Sequence, residues 1–139
     1  MEHALTIQSN GTKRKLLMVD EDRRDLRYYS RILELGGFEV QRVASYEEGV
    51  ACLLRENFDL AVVGQEGPEF VCRLPVALAA QADPGVPVLV LTRFANWDCV
   101  MQVMRLGAAG CHLKSLSPSK LAELAIKTGR SRPVKADVA

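Results

Sequence analysis

The sequence predicts an α/β domain built on a parallel sheet. Three observations carry this. Five short apolar runs of strand length recur along the chain. Each is followed by a stretch with helical periodicity, and Gly, Pro, Asn or Asp punctuates the junctions. Two of the runs, Leu16–Val19 and Val88–Leu91, are apolar without alternation, as strands buried on both faces must be. Right-handed crossovers then put helices on both sides of the sheet. The 139 residues, 48% apolar and 25% charged, suit one such domain and exclude wholesale disorder.

The elements follow in order. Lys15–Val19 is the first strand, and it ends abruptly in Asp20-Glu21-Asp22. Arg24–Leu35 has apolar or aromatic residues at 28, 29, 32, 33 and 35, a helical stripe that Gly36-Gly37 stops. Glu39–Val43 alternates and reads as the second strand. Ser45 and Glu48 form a capping box, and the helix behind it carries Tyr46, Val50, Leu53 and Leu54 as its core stripe. Asp59–Val63 is the third strand, stopped by Gly64.

Gly67 and Pro68 mark a loop, and Pro75 suits a first helical turn, so a short third helix is expected over Pro75–Gln81. Asp83-Pro84-Gly85 is a turn. Pro87–Leu91 is the fourth strand, ending at Thr92. Asn96 caps a fourth helix with Trp97, Val100, Val103, Met104 and Leu106, closed by Gly107. Cys111–Leu113 is a short fifth strand leading into Lys114. Ser117-Pro118 opens a fifth helix with Leu121, Leu124, Ala125 and Ile126, which ends near Gly129.

Charge is unevenly spread over a chain of net charge +1. Lys13, Arg14 and Lys15 outweigh Glu2 at one end. Lys127, Arg130, Arg132 and Lys135 outweigh Asp137 at the other. The globule between is mildly acidic. Residues 1–13 read as a flexible leader, 14–129 as the domain and 130–139 as a basic tail. Solvated ends are the bland reading of this pattern and a weak electrostatic handle for an acidic partner the alternative; a nucleic-acid partner is disfavoured because no aromatic–basic face accompanies the charges. The four cysteines, 52, 72, 99 and 111, show no metal-site spacing and read as small apolar residues of a reducing compartment. No secretory signal and no membrane-length apolar run is present, so no membrane partner and a cytoplasmic location are expected.

In an open parallel sheet, ligands bind beyond the carboxyl ends of the strands. The residues there are Asp20-Glu21-Asp22, Ser45, Gly64-Gln65-Glu66, Thr92 and Lys114. Crowded carboxylates at one strand end call for a cation, and oxygen ligands suit Mg²⁺. The bland alternative is that Asp22 simply caps the first helix.

This constellation resembles the receiver domain of bacterial two-component response regulators. The resemblance spans Arg14–Gly129 and rests on LLMVDED, the Phe58-Asp59-Leu60 entry to the third strand with Pro68 beyond it, VPVLVLT, and LGAAGCHLK. It implies a flavodoxin-like, doubly wound, five-stranded sheet of strand order 2-1-3-4-5. By resemblance, Asp20 and Glu21 match the acidic pair that holds Mg²⁺. Thr92 matches the hydroxyl that contacts the phosphoryl group, and Lys114 the lysine that pairs with the aspartyl phosphate. The family's phosphoacceptor aspartate falls on Gly64, which has no side chain to phosphorylate.

Other departures agree. Cys111 stands where the family has its switch aromatic, and Ser115 follows Lys114 where the family has a cis proline. Asp59 lies roughly 17 Å back along the strand, out of reach. Only Glu66 could swing to the rim as a displaced acceptor.

The expectation is therefore a pseudo-receiver: non-enzymatic, independent of phosphorylation, and acting by docking. It needs no cofactor, with at most weak Mg²⁺ binding at Asp20 and Glu21. With no acceptor to satisfy, Lys114 should pair with Asp20 or Glu21, while Gly64→Asp should restore phosphorylation if Thr92 and Lys114 face the pocket. By resemblance, the docking face is the fourth helix, fifth strand and fifth helix, near Trp97, Val100, Met101, Arg105, Leu113 and Leu121. Its partner would be a sensor kinase, another regulator, or a second copy. The residues after Gly129 are too few to fold as an output domain, so a stand-alone protein or a piece of a longer one is expected. The competing expectation is a phosphoacceptor that uses Glu66 with Mg²⁺.

Overall fold

The computed structural model describes residues 13–65, 73–82, 85–94 and 96–131. Five strands alternate with five helices: β1 Lys15–Val19, α1 Arg23–Leu35, β2 Glu39–Val43, α2 Tyr46–Arg55, β3 Leu60–Gln65, α3 Arg73–Gln81, β4 Val88–Thr92, α4 Trp97–Arg105, β5 Gly110–Leu113 and α5 Pro118–Thr128. All strand pairings are parallel, in the order β2-β1-β3-β4-β5. Glu66, Pro68, Cys72 and the Asp83-Pro84 part of the expected turn lie outside the described residues, as do 1–12 and 132–139.

The central strands sort their side chains by the two-residue period of a strand. Leu17, Val19, Ala61, Val63, Val88 and Val90 face one layer with Cys52, Val76, Ala79 and Val103. Leu16, Met18, Leu60, Val62, Leu89 and Leu91 face the other with Leu26, Leu33, Leu121 and Ala125. Both faces of β1, β3 and β4 are thus dry.

Local chemistry sets the helix ends. Asp22 accepts from the Arg24 and Asp25 amides at 2.9 and 3.0 Å, so its carboxylate caps α1. At the other end Gly37 adopts φ +102°, and the Phe38 amide returns to the Leu33 carbonyl, burying both side chains against each other. Ser45, Asn96 and Ser117 cap α2, α4 and α5 as the sequence predicts.

Several expectations are corrected. Gly64 does not stop β3. The strand runs on to Gln65, because Gly64 and Gln65 pair in register with Leu91 and Thr92. The stripe of α2 holds in part: Tyr46 and Leu53 pack on the core beside buried Gly49 and Cys52, whereas Leu54 is 71% exposed. Gly49 packs so tightly on Val19 that a β-carbon there would fall 2.9 Å from Val19 Cγ2, and this close approach turns Leu54 outward. Helix α3 begins two residues before Pro75, which sits in its first turn. Ile126 is half exposed, so α5 packs mainly through Leu121 and Ala125. Arg130, assigned to the tail, is pinned to the domain: its amide donates to the Asp59 carbonyl and its guanidinium to the Phe58 carbonyl.

Candidate functional site: the carboxyl rim of the sheet

The strand order places the ends of β1, β3, β4 and β5 side by side, and with them Asp20, Gly64, Thr92 and Lys114. Asp20 and Lys114 are both buried, although ionic side chains seldom are unless paired. Here they are paired. Lys114 Nζ lies 2.9 Å from Asp20 Oδ2 and 2.8 Å from Asp25 Oδ2. The other oxygen of Asp20, Oδ1, accepts from the Asp22 amide at 3.0 Å.

The position of the Asp20 carboxylate is the central finding. A β-carbon built on Gly64 would fall 2.5 Å from Asp20 Cγ and closer still to Oδ2, nearer than real side chains approach. Asp20 therefore occupies the volume in which a residue-64 side chain would begin. Glycine is the residue at 64 that lets the β1 carboxylate lean into this space and reach Lys114.

The neighbouring residues brace the arrangement. The Lys114 amide donates to the Thr92 carbonyl at 2.8 Å, and Tyr29 OH donates to the Lys114 carbonyl at 2.7 Å. Tyr46 OH donates to the Gly64 carbonyl at 2.6 Å. Arg93 contacts Asp25 closely and Asp22 at 3.7 Å, closing a surface layer of charge over the buried pair. The amide of Asp25, then that of Arg24 and the nearby Lys114 and Arg93 charges, hold the Asp22 carboxyl below its ordinary value against some desolvation. Burial, then the Asp25 charge, pushes the Tyr29 phenol up.

The sequence-predicted residues are only partly brought together. Asp20, Gly64 and Lys114 are brought together. Thr92 is at the rim, but its hydroxyl accepts from the Phe94 amide at 3.1 Å and lies 3.3 Å from the Phe94 carbonyl, so it closes the β4–α4 turn. Glu21 is exposed and forms none of the Lys114 contacts; the second carboxylate on Lys114 is Asp25, not Glu21. Cys111 is partly buried, and desolvation, then the neighbouring Cys99, pushes its thiol up, so it stays protonated. On the expected docking face, Trp97 is 72% exposed and Leu113 is also exposed, but Leu121 is fully buried in the core and cannot take part.

Sequence reasoning missed Asp25, Tyr29, Tyr46 and Arg93. Asp25 and Tyr29 lie one helical turn apart on α1, both in contact with Lys114, and that spacing was the available signal. Tyr46 and Arg93 could not be placed without the path of the loops around them.

Residues 16–126 match the family model described as the response regulator receiver domain, and the chain belongs to that family. It is 32% identical over 110 residues to the response regulator protein FleR of Pseudomonas aeruginosa, covering 79% of this chain and 23% of that protein. The chain thus spans under a quarter of that relative. Among solved structures, a CheY-like receiver domain protein of Methanospirillum hungatei is similar with a TM-score of 0.76, at 27% identity over 84% of this chain and 93% of that one. The chemotaxis response regulator CheY4 of Vibrio cholerae shares the fold, with a TM-score of 0.73 at 23% identity, over 84% of this chain and 98% of that one. The chain is a receiver domain of two-component signalling. No helix among the described residues is long and apolar enough to cross a membrane.

Proposed function

We propose that this receiver domain is a pseudo-receiver: it takes no phosphoryl group and acts by docking, with its rim held in one arrangement. The observation that supports this best is the Asp20 carboxylate standing in the space of the missing residue-64 side chain, neutralised by Lys114. A receiver switch needs two states of the rim that differ in their contacts with the incoming group. Here the ammonium that would meet a phosphoryl group already meets two carboxylates, and the Thr92 hydroxyl already serves a turn.

The same donors argue against a resident divalent ion. Mg²⁺ demands oxygen ligands in near-octahedral order. Both Asp20 oxygens are engaged, Gly64 contributes no carboxylate, and a lysine ammonium sits beside the acids. The protein accordingly needs no cofactor and binds Mg²⁺ weakly. As a docking module it is not an enzyme, and its partner is a sensor kinase, another regulator or a second copy. The exposed Trp97, Leu113 and Arg105 supply one contact face. A cytoplasmic location accords with this role.

The test is incubation with a small phosphodonor and Mg²⁺, followed by intact mass. The expected result is an unchanged mass. An acid-labile phosphoryl adduct would overturn the proposal, and its loss in Glu66→Gln would establish the displaced-carboxylate reading instead.

A further inference from the structure

The pole of the sheet opposite the rim carries long-range contacts that docking at the rim does not use. Residues 13–15 bring the chain into β1, and Gly129 and Arg130 take it out of α5. The two segments meet at this pole although 115 residues of chain separate them. Arg14 Nη1 donates to the Gly129 carbonyl at 3.1 Å and lies 3.5 Å from the Arg130 carbonyl. Its guanidinium stands over the Phe38 ring, 5.0 Å from the centroid, which helps to hold it in place.

Asp59, the residue before β3, joins entry to exit. Its amide donates to the Lys15 carbonyl and its carboxylate accepts from the Lys15 amide, both at 2.8 Å. Its own carbonyl accepts from the Arg130 amide, also at 2.8 Å. The Arg130 guanidinium donates to the Phe58 carbonyl at 2.6 Å and lies 3.9 Å from the Asp59 carboxylate. Gly129 makes the exit tight. It ends α5 in an extended conformation, φ −62° and ψ 150°. A β-carbon there would fall 3.2 Å from both the Ala125 carbonyl oxygen and Arg14 Nη1, and 3.5 Å from Leu60 Cβ. The end of a domain ordinarily frays. This one is tied by backbone bonds and by donors that carry charge.

We propose that Arg14, Asp59 and Arg130 form a clasp that carries the chain out of the domain beside its way in. The points of entry and exit are thereby fixed side by side at the amino-terminal pole. Five residues of β3, roughly 17 Å, separate Asp59 from Gly64 at the rim. A partner docked at the rim and a segment joined to either end of the domain therefore use opposite poles and do not compete. Segments joined to the two ends meet each other at high local concentration. The basic clusters at the two ends of the domain, Lys13 and Arg14 at one and Arg130 at the other, share this pole. The clasp goes beyond the docking reading and does not rest on it.

The experiment is nuclear magnetic resonance on the full chain labelled with nitrogen-15. Cross-relaxation between Arg14 and Gly129 protons is expected. The Arg130 amide should exchange with solvent within about tenfold of the β3 amides, not at the rate of a fraying end. In R14Q/R130Q it should exchange about tenfold or more faster, while the Leu91 amide of β4 keeps its parent rate. Arg105→Gln, on α4, should change neither. If R14Q/R130Q fails to fold, the single variant Arg14→Gln is read in its place. Absent Arg14–Gly129 cross-relaxation, unprotected exchange of the Arg130 amide in the parent, or unchanged exchange in the variant would each overturn the inference. Phosphoryl uptake at the rim would overturn the silent-rim reading alone, so the two fail separately.

Discussion

The carboxylate of Asp20 leans from the end of β1 into the space that a side chain on Gly64 would claim, and it meets Lys114 Nζ there at 2.9 Å. Three strands thereby share one buried ion pair. Its behaviour under substitution separates a structural lock from a dormant phosphorylation site.

Gly64→Asp, which restores the family's acceptor on paper, should not restore phosphorylation in this chain. The new β-carbon would collide with Asp20, and overpacking of this kind costs roughly 1–3 kcal/mol. Gly64→Ala should show the same loss in chemical denaturation, and the loss should shrink in an Asp20→Ala background. Additive effects of the two substitutions would show that the two positions do not compete for one space.

Lys114→Met removes the cation that Asp20 and Asp25 share and leaves Arg93 on Asp25 alone. Breaking a buried pair from one side typically costs about 3–5 kcal/mol, so a large drop in urea midpoint is expected. Arg93→Gln, at the exposed edge of the same cluster, should cost less than about 1 kcal/mol. Similar losses in the two variants would mean that burial does not distinguish them.

Asp22 and Tyr29 make opposite ends of the stability profile pH-dependent. The folded Asp22 carboxyl titrates below its ordinary value of 3.8, so its contribution is present above that value and is lost as pH falls through the lower folded one. Tyr29 is shifted up from 10.0, which favours the neutral phenol in the fold, so stability declines as pH rises past 10. Asp22→Ala should flatten the acid limb of a melting-temperature profile. Tyr29→Phe should flatten the alkaline limb and, by losing the bond to the Lys114 carbonyl, cost about 0.5–1.5 kcal/mol at neutral pH.

Trp97 is the single tryptophan, and it stands 72% exposed at the start of α4. Its emission should be red-shifted and readily quenched by acrylamide. Trp97→Ala should change stability by less than about 0.5 kcal/mol. A blue shift on adding a candidate kinase or regulator would report contact at that face, and a strongly destabilised Trp97→Ala would show that the indole belongs to the core.

Most of the fold was legible because its signals are local. Caps at Asp22, Ser45, Asn96 and Ser117, glycine stops and dry apolar strands each depend on neighbours within a few residues. Strand order was not local and came from the resemblance. At the rim, pairing of Lys114 with Asp20 was among the expectations, but their third member was not. Asp25 reaches Lys114 across 89 residues of chain, and only the tertiary fold brings α1 beside the residue that follows β5. Gly64 shows the same limit. A sequence reports that an acid is missing there; it cannot report that another acid has moved into the gap. The outward turn of Leu54 also depended on a distant fact, the close approach of Gly49 to Val19.

The ammonium shared by Asp20 and Asp25 is covalently tethered, and that distinguishes it from any ion drawn from solution. A tethered charge has no bulk concentration to track. Chelators do not strip it, and scarcity of magnesium does not empty it. Whatever this domain reports to its partner should therefore be constant across ionic conditions that would reset a metal-dependent relative.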